Sequence, residues 1–168
     1  SEAAAQVERW QTLYDQTYAG DGSAADLSEN FLGWNSSYTG EPIPLDEMRE
    51  WQAATVANLK AFGARRIWEN GCGTGLLLAK LAPTAERYLA TDFSASVLGQ
   101  TRRLVESRDG LRHVELAQRA AADSDGVEPG AFDLVILNSV IQYFPSQTYL
   151  EAAIGTALKA LAPGGRIY

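Results

Sequence analysis

The first apolar pattern in the chain has a helical period. Across residues 3–19, Val7, Trp10, Leu13 or Tyr14, and Thr17 or Tyr18 recur every three to four positions, and Gly20-Asp21-Gly22-Ser23 then breaks the pattern. That predicts an amphipathic helix. Tyr14 and Tyr18 stand one turn apart on it. They read either as an aromatic stripe on the core or as part of a lid over a ligand, and Tyr18 is carried as a candidate contact. Residues 21–44 are polar and rich in turn formers, yet they hold Phe31, Trp34 and Tyr38. This stretch reads as an ordered loop anchored by its aromatics or as a pocket wall made by Trp34, Asn35, Tyr38 and Glu41, since long loops inside domains often serve a site. Pro44-Leu45-Asp46-Glu47 opens a second helix, with acids in its first turn and Met48, Trp51, Thr55, Val56, Leu59 and Phe62 as its apolar face. Gly63 ends it.

From residue 65 the pattern alternates between short apolar runs and helical spacing. A strand through Ile67 comes first, then a helix over 74–82 burying Leu77, Leu78 and Leu81 and stopped by Pro83. Residues 87–92 form a second strand. A helix over 95–108 buries Val97, Leu98, Leu104 and Val105, and 111–117 form a third strand. Phe132 to Asn138 is nearly all apolar, as expected of a strand buried on both faces of a parallel sheet. Ser146 caps a helix carrying Leu150, Ile154, Ala157, Leu158 and Leu161, and Ala162-Pro163-Gly164-Gly165 turns into a last strand, 166–168. Alternation of this kind predicts an α/β fold with a parallel sheet in residues 63–168, preceded by a mostly helical cap and lid loop in residues 1–62. Ligands bind such sheets beyond the carboxyl ends of the strands. Asn138 and Tyr143, which follow the best strand, are therefore candidate site residues.

The turn after the first strand, Glu69-Asn70-Gly71-Cys72-Gly73-Thr74-Gly75, is the clearest chemical signal. Alternate glycines accept positive φ and let a ligand approach bare backbone, and a helix start behind them offers N–H groups. Asp92 ends the second strand, 21 positions after Gly71, near the interval at which an acid reaches a ribose. Asp92 also reads as a helix-start residue beside the cap Ser94. A dinucleotide site would show G-x-G-x-x-G; here the third glycine comes one place early. That disfavours a nicotinamide oxidoreductase.

Composition narrows the field. The chain has 168 residues, 46% of them hydrophobic, and a net charge of −7, which suits one folded domain with a real core. With no basic run, a nucleic-acid partner is not expected. One cysteine, Cys72, rules out a disulfide within the chain and fits a reducing compartment. Its place between two glycines suits a small loop residue better than a nucleophile. The single histidine, His113, has no metal-spaced companions, so no metal is expected. No apolar run approaches the ~20 residues of a membrane span, and no signal peptide is visible. A cytoplasmic protein with no membrane partner is the expectation.

Three stretches together resemble the S-adenosylmethionine-dependent methyltransferase domains of nonribosomal peptide synthetases, which are class I methyltransferases with a Rossmann-like sheet. They are Gly33-Trp34-Asn35-Ser36-Ser37-Tyr38-Thr39-Gly40, the Glu69–Leu78 loop, and Asn138-Ser139-Val140-Ile141-Gln142-Tyr143-Phe144-Pro145. The resemblance implies S-adenosylmethionine as cofactor. Gly71, Cys72, Gly73 and Gly75 would face its methionine part, Glu69 its ammonium, Asp92 its ribose and Phe93 its adenine. Tyr18, Trp34, Asn138 and Asp123 would complete the binding set, Asp123 from the loop after the third strand. Asn138, Tyr143, Tyr38 and Asn35 would wall or orient the substrate. The implied reaction is N-methylation of the α-amino group of an aminoacyl thioester held on a carrier protein, beside other synthetase domains. C-methylation and a cofactor-binding scaffold without turnover remain alternatives. Two departures from the family pattern stand out. Asn70 replaces an apolar Ile or Val, which would cost roughly 1–3 kcal/mol if buried without a partner. The chain also stops in its fifth strand, where the family continues, so an open edge at 166–168 is expected to attract partners or aggregate.

Overall fold

The computed structural model describes residues 2–18 and 26–168. Five strands, β1 (Arg66–Asn70), β2 (Arg87–Asp92), β3 (Val114–Gln118), β4 (Phe132–Ile136) and β5 (Leu161–Ile167), form one sheet in the order β3-β2-β1-β4-β5. Every neighbouring pair is parallel. The helices are α1 (Glu2–Tyr18), α2 (Leu45–Lys60), α3 (Leu78–Leu81), α4 (Ala95–Glu106) and α5 (Gln147–Ala160). This is the class I methyltransferase, Rossmann-like arrangement that the sequence predicts.

Both faces of the central strands are covered. Ile67, Ala90, Leu134 and Ile136 pack with Leu59 of α2, Leu78 of α3 and Leu104 of α4. Trp68, Phe132 and Val135 pack on the opposite face with Ala157 and Ala160 of α5. Alternation in β4 therefore sends successive apolar residues to different cores, which is why the run reads as continuous. At the amino ends of the strands, Asp133 accepts the Arg65 and Arg66 backbone N–H groups at 3.2 and 2.8 Å and the Arg66 guanidinium at 2.7 Å. The guanidinium holds the Asp133 carboxyl below its usual range.

Several boundaries differ from the sequence reading. The helix expected over 74–82 is only α3, because residues 73–77 form turns around Gly75 at φ +88°. The third strand starts at Val114, three positions late, because Asp109–Leu111 is a 3-10 turn that tucks Leu111 into the core. β5 begins at Leu161 rather than 166: Leu161 pairs with Phe132 and Arg166 with Leu134, with an irregular bulge between them. The Ala162–Gly165 turn therefore lies inside the strand, where one chain simply has extra residues to accommodate.

The segment from Asp26 to Pro44 is sewn to the core. Buried Gln52 of α2 donates to the carbonyls of Ser28 (3.3 Å) and Leu76 (2.7 Å). Thr74 donates to the Asn30 carbonyl at 2.7 Å. Helix α1 is fastened across the start of α4: Gln11 donates to the Phe93 carbonyl at 3.0 Å, and the Asp15 carboxylate takes the Ser94 hydroxyl and the Ser96 N–H. No described helix is long and apolar enough to cross a membrane.

Candidate active site at the carboxyl ends of the strands

A cavity of ≈ 360 Å³ opens where β1, β2 and β4 end. It is lined by Gly71-Cys72-Gly73-Thr74 of the glycine turn, by Asp92-Phe93, by Asn138-Ser139-Val140 and Gln142-Tyr143-Phe144-Pro145, and by Val7 and Trp10 of α1 with Gly33-Trp34-Asn35. The ends of adjacent parallel strands are brought together by register alone. β1 and β2 are aligned from Arg66↔Arg87 to Asn70↔Thr91, so Glu69, Asn70 and Asp92 reach the same rim.

The glycine turn differs from expectation in what it offers. Its amides are engaged inside the protein: Gly71 and Cys72 donate to the Thr91 carbonyl at 2.8 and 2.9 Å, Gly73 to Asp92 Oδ2 at 3.0 Å, and Gly75 to the Cys72 carbonyl at 3.1 Å. The first three of these bonds lash the turn to β2, so the Gly71, Cys72 and Gly73 amides are already taken. Gly71 is needed for that space, since at φ +90° an added Cβ would stand 2.3 Å from Val140 Cγ1. Gly75 does not line the cavity. It lets the turn meet α4, where a Cβ would stand 2.8 Å from Leu104 Cδ2. The four-residue α3 is also too short to present a helix-start site.

Two buried carboxyl groups, Glu69 and Asp92, line the cavity. Glu69 is 4% exposed and accepts the Tyr88 hydroxyl at 2.6 Å. Burial pushes its carboxyl up to about 8, opposed by the hydrogen bonds from Tyr88 and the Leu78 backbone and reinforced by the charge of Asp92. Asp92 accepts Ser94 N–H on Oδ1 and Gly73 N–H on Oδ2, both at 3.0 Å. Burial raises it too, against those backbone bonds. The Cys72 thiol is raised by burial, as suits an inert loop residue. The cap at the start of α4 is Ser94, whose hydroxyl accepts Val97 N–H at 3.2 Å, while Asp92 joins that cap to the glycine turn.

A group whose folded-state carboxyl is raised keeps a proton that the unfolded chain has lost. Stability then falls as pH rises, here between 4.5 and about 8 for Glu69. Urea titrations of the ligand-free chain from pH 5 to 8 are expected to lose stability at a slope approaching one proton, about 1.4 kcal/mol per pH unit. Glu69→Gln should flatten most of that slope; an unchanged slope would refute the assignment.

Asn70 is 1% exposed and fully partnered. It donates to the Ala121 carbonyl at 3.0 Å, and its Oδ1 accepts Thr91 Oγ1–H at 3.3 Å. Thr91 in turn accepts Trp68 Nε1–H at 2.9 Å. The cost expected of an unpartnered amide therefore does not arise. The side chain ties β1 to the loop after β3. Asn70→Val, the family's apolar choice, should destabilise by about 1–3 kcal/mol in chemical denaturation by orphaning these groups; a stabilised variant would contradict the network.

The structure gathers most of the residues singled out in the sequence. Trp34, Asn35, Glu69, Gly71, Cys72, Gly73, Asp92, Phe93, Asn138 and Tyr143 all line the cavity. Ser139, at φ +58°, makes the tight turn that presents Asn138, braced by Gln142 Nε2 on its carbonyl at 2.9 Å. A non-glycine residue held there is stored strain of the sort found at functional sites. Tyr143 packs on Trp10 with centroids 5.5 Å apart, and Trp34 on Trp51 at 4.5 Å.

Four candidates are not brought in, the first being Glu41, which is exposed and does not line the cavity. Tyr38 is fully exposed at the tip of its turn, because the Ser36 hydroxyl accepts its N–H and folds that tip outward. Asp123 is exposed and accepts Asp125 N–H at 2.9 Å in the turn after β3. Gly75 packs on α4 instead, as described above. Tyr18 closes α1, but its side chain lies outside the described residues, as does that of Tyr14. Conversely, Trp10, Trp51, Arg119, Gln142 and Tyr149 line the cavity without having been picked out. Both tryptophans sit on apolar helix stripes, which by sequence pattern face a core. Bulk at the end of an apolar stripe was the one available sign.

The cavity's chemistry suits a cationic amino acid joined to a nucleoside. It offers buried carboxyl groups at Glu69 and Asp92, an aromatic ring at Phe93 and close backbone approach at Gly71. Comparisons agree. The methyltransferase domain family matches residues 68–167. A probable non-canonical nonribosomal peptide synthetase, CymA of Salinispora arenicola, is 44% identical over 162 residues, covering 96% of this chain and 2% of its own length. Chondramide synthase cmdD of Chondromyces crocatus is also 44% identical over 162 residues, covering 96% and 4%. The chain thus spans only a small part of these relatives. Among solved structures, N-methyltransferase NodS of Bradyrhizobium japonicum WM9 with S-adenosyl-L-homocysteine superposes at TM-score 0.68, with 22% identity over 93% of this chain and 69% of that one. The likeness to that structure is one of fold. The family match and these relatives place this chain in the methyltransferase domain family, as an S-adenosylmethionine-dependent methyltransferase domain similar to those of nonribosomal peptide synthetases.

Proposed function

We propose that the chain N-methylates the α-amino group of an aminoacyl or peptidyl thioester carried on a partner carrier protein, in the cytoplasm, next to other synthetase domains. Residues 63–168 act as the cofactor-binding core and residues 1–62 as its cap and lid. The observation that carries the reading is the division of the cavity. Its carboxyl groups, Glu69 and Asp92, stand at the ends of β1 and β2, whereas Trp10, Trp34, Asn35, Asn138, Gln142 and Tyr143 bring uncharged polar and aromatic surface.

Bound S-adenosylmethionine supplies an electrophilic methyl group on a sulfonium that leaves as a neutral sulfide. Glu69 would meet its ammonium, Asp92 its ribose and Phe93 its adenine. Asn138 and Tyr143 would orient the incoming amine by hydrogen bonds, with Trp34 and Asn35 walling that end. Orientation alone accounts for several kcal/mol of such a barrier. An α-amino group titrates near ~8, so part of it is already neutral at pH 7 and no strong base is needed. Among the described cavity residues there is no histidine, which favours an amine over a carbon acid as acceptor. That supports N- over C-methylation.

The test is to incubate the chain with S-adenosylmethionine and a pantetheine thioester of an amino acid, and to map the product by mass spectrometry. A methyl on nitrogen is expected. Methyl on the α-carbon, or none despite bound cofactor product, would overturn the proposal in favour of C-methylation or a binding scaffold.

A further inference from the structure

We infer that Tyr88 is a positioning residue for cation recognition: its buried hydroxyl holds the Glu69 carboxyl at the cavity wall and supports it as an anion when a ligand's ammonium arrives. The inference rests on the proposed reading of Glu69 as the ammonium contact.

Tyr88 lies in the middle of the core, 0% exposed, among Ile67, Leu78, Ala90 and Leu134. An apolar side chain would serve that packing. A phenol there needs an acceptor for its hydroxyl, and the acceptor is Glu69 Oε2 at 2.6 Å. In the β1–β2 register Tyr88 stands opposite Ile67, so its long ring spans the two residues up to Glu69. The link fixes one carboxyl oxygen from inside the protein.

The surroundings make that bond matter. Glu69 faces Tyr88 and Asp92 from β2, Cys72 from the glycine turn, and the Leu78 backbone from α3. From β4 its register partner is apolar Ile136. Among the described residues, no lysine or arginine is paired with it. Every titratable neighbour is an acid, so the protein itself supplies no counter-charge. Burial keeps the carboxyl protonated near neutral pH. An incoming ammonium reverses the balance, and the carboxyl proton passes to the buffer. Tyr88, whose phenol is held well above its ordinary range by burial and by Glu69, stays a donor throughout. A donor at this distance binds an anionic carboxylate more strongly than a neutral acid. The hydroxyl therefore favours the charged state that the ligand requires.

The test is calorimetric. S-adenosylhomocysteine and methylthioadenosine, which keeps the nucleoside but lacks the amino-acid end, are titrated into the full chain at several pH values. Two buffers of different ionisation heat read the protons released. Wild type is expected to release close to one proton with S-adenosylhomocysteine and none with methylthioadenosine. Tyr88→Phe should weaken S-adenosylhomocysteine roughly tenfold at pH 7, move the pH at which its affinity rises upward, and leave methylthioadenosine unchanged. Equal losses for both ligands, or no loss for either, would overturn the inference, because a core-packing role does not discriminate between them. If Tyr88→Phe does not fold, 3-fluorotyrosine at position 88 retains the hydroxyl with a more acidic proton. The affinity rise should then move to lower pH, and an unmoved rise overturns the inference. Failure of the underlying reading looks different: Glu69→Gln would bind S-adenosylhomocysteine as tightly as wild type, with no proton released by either, and both ideas would go.

Discussion

Asp92→Ala is expected to abolish measurable S-adenosylhomocysteine binding while leaving a folded chain. Asp92 occupies both ends of one joint. It would receive the ribose, and it also accepts the N–H groups of Gly73 and Ser94, fixing the glycine turn against the start of α4. Two hydrogen bonds to a charged acceptor, at about 1.5–3 kcal/mol each, correspond to roughly a hundredfold or more in Kd. The stability cost should be much smaller. Two N–H groups lose their acceptor, but a carboxyl raised by burial is removed at the same time. Asp92→Asn keeps one carbonyl oxygen and is expected to fall between the two in affinity. Titration calorimetry beside thermal unfolding separates the effects. Binding retained within a few-fold in Asp92→Ala would sink the ribose assignment, and a chain that unfolds would show that the joint is chiefly structural.

Gly71→Ala should be the most damaging small substitution in the turn. At φ +90° an L side chain is strained wherever it sits, and the new Cβ would stand 2.3 Å from Val140 Cγ1 and 3.3 Å from Val140 Cβ. Left-handed backbone costs an alanine about 1–2 kcal/mol, and overpacking adds about 1–3 kcal/mol. A loss of about 2–5 kcal/mol in urea unfolding follows, together with displacement of the Asn138–Tyr143 wall. The two parts are separable. Gly71→Ala with Val140→Ala relieves the clash and leaves the backbone strain, so it should recover part of the loss but not all. A double variant no better than Gly71→Ala alone would mean that the conformation, not the contact with Val140, makes glycine necessary. By contrast, Gly73→Ala meets no atom within 4 Å and carries only the strain of φ +53°.

These two positions show how unevenly the site is written along the chain. The glycine turn, Asp92 and the apolar run of β4 are local patterns, and a local pattern survives in one dimension. Glycines at positive φ and a strand buried on both faces each impose a rule on consecutive residues. The alternation of strands and helices then limits the topology to a parallel sheet with its ligands at the carboxyl ends. That suffices to place Glu69, Asp92, Phe93 and Asn138 around one opening.

Other features depend on partners far away in sequence. Asn70 looks like a defect until the Ala121 carbonyl, 51 positions on, takes its amide. Tyr88 looks like an ordinary strand residue until its hydroxyl reaches Glu69 across the β1–β2 register. Trp10 and Trp51 read as core residues, because a helical stripe does not say whether its far end meets the core or a cavity. Tyr38 sits in an aromatic segment, yet one hydroxyl, that of Ser36, folds its turn toward solvent. The glycine amides, free by local reasoning, are taken by the Thr91 carbonyl and Asp92 on β2. Fold class, the end of the sheet where the cavity opens and the acids on its rim are legible in local patterns, because periodicity and backbone restrictions act between near neighbours. Which polar groups are satisfied, which aromatics face the cavity and where the carboxyl charges titrate are not, because these follow from burial and from hydrogen bonds between segments that meet once the sheet has formed.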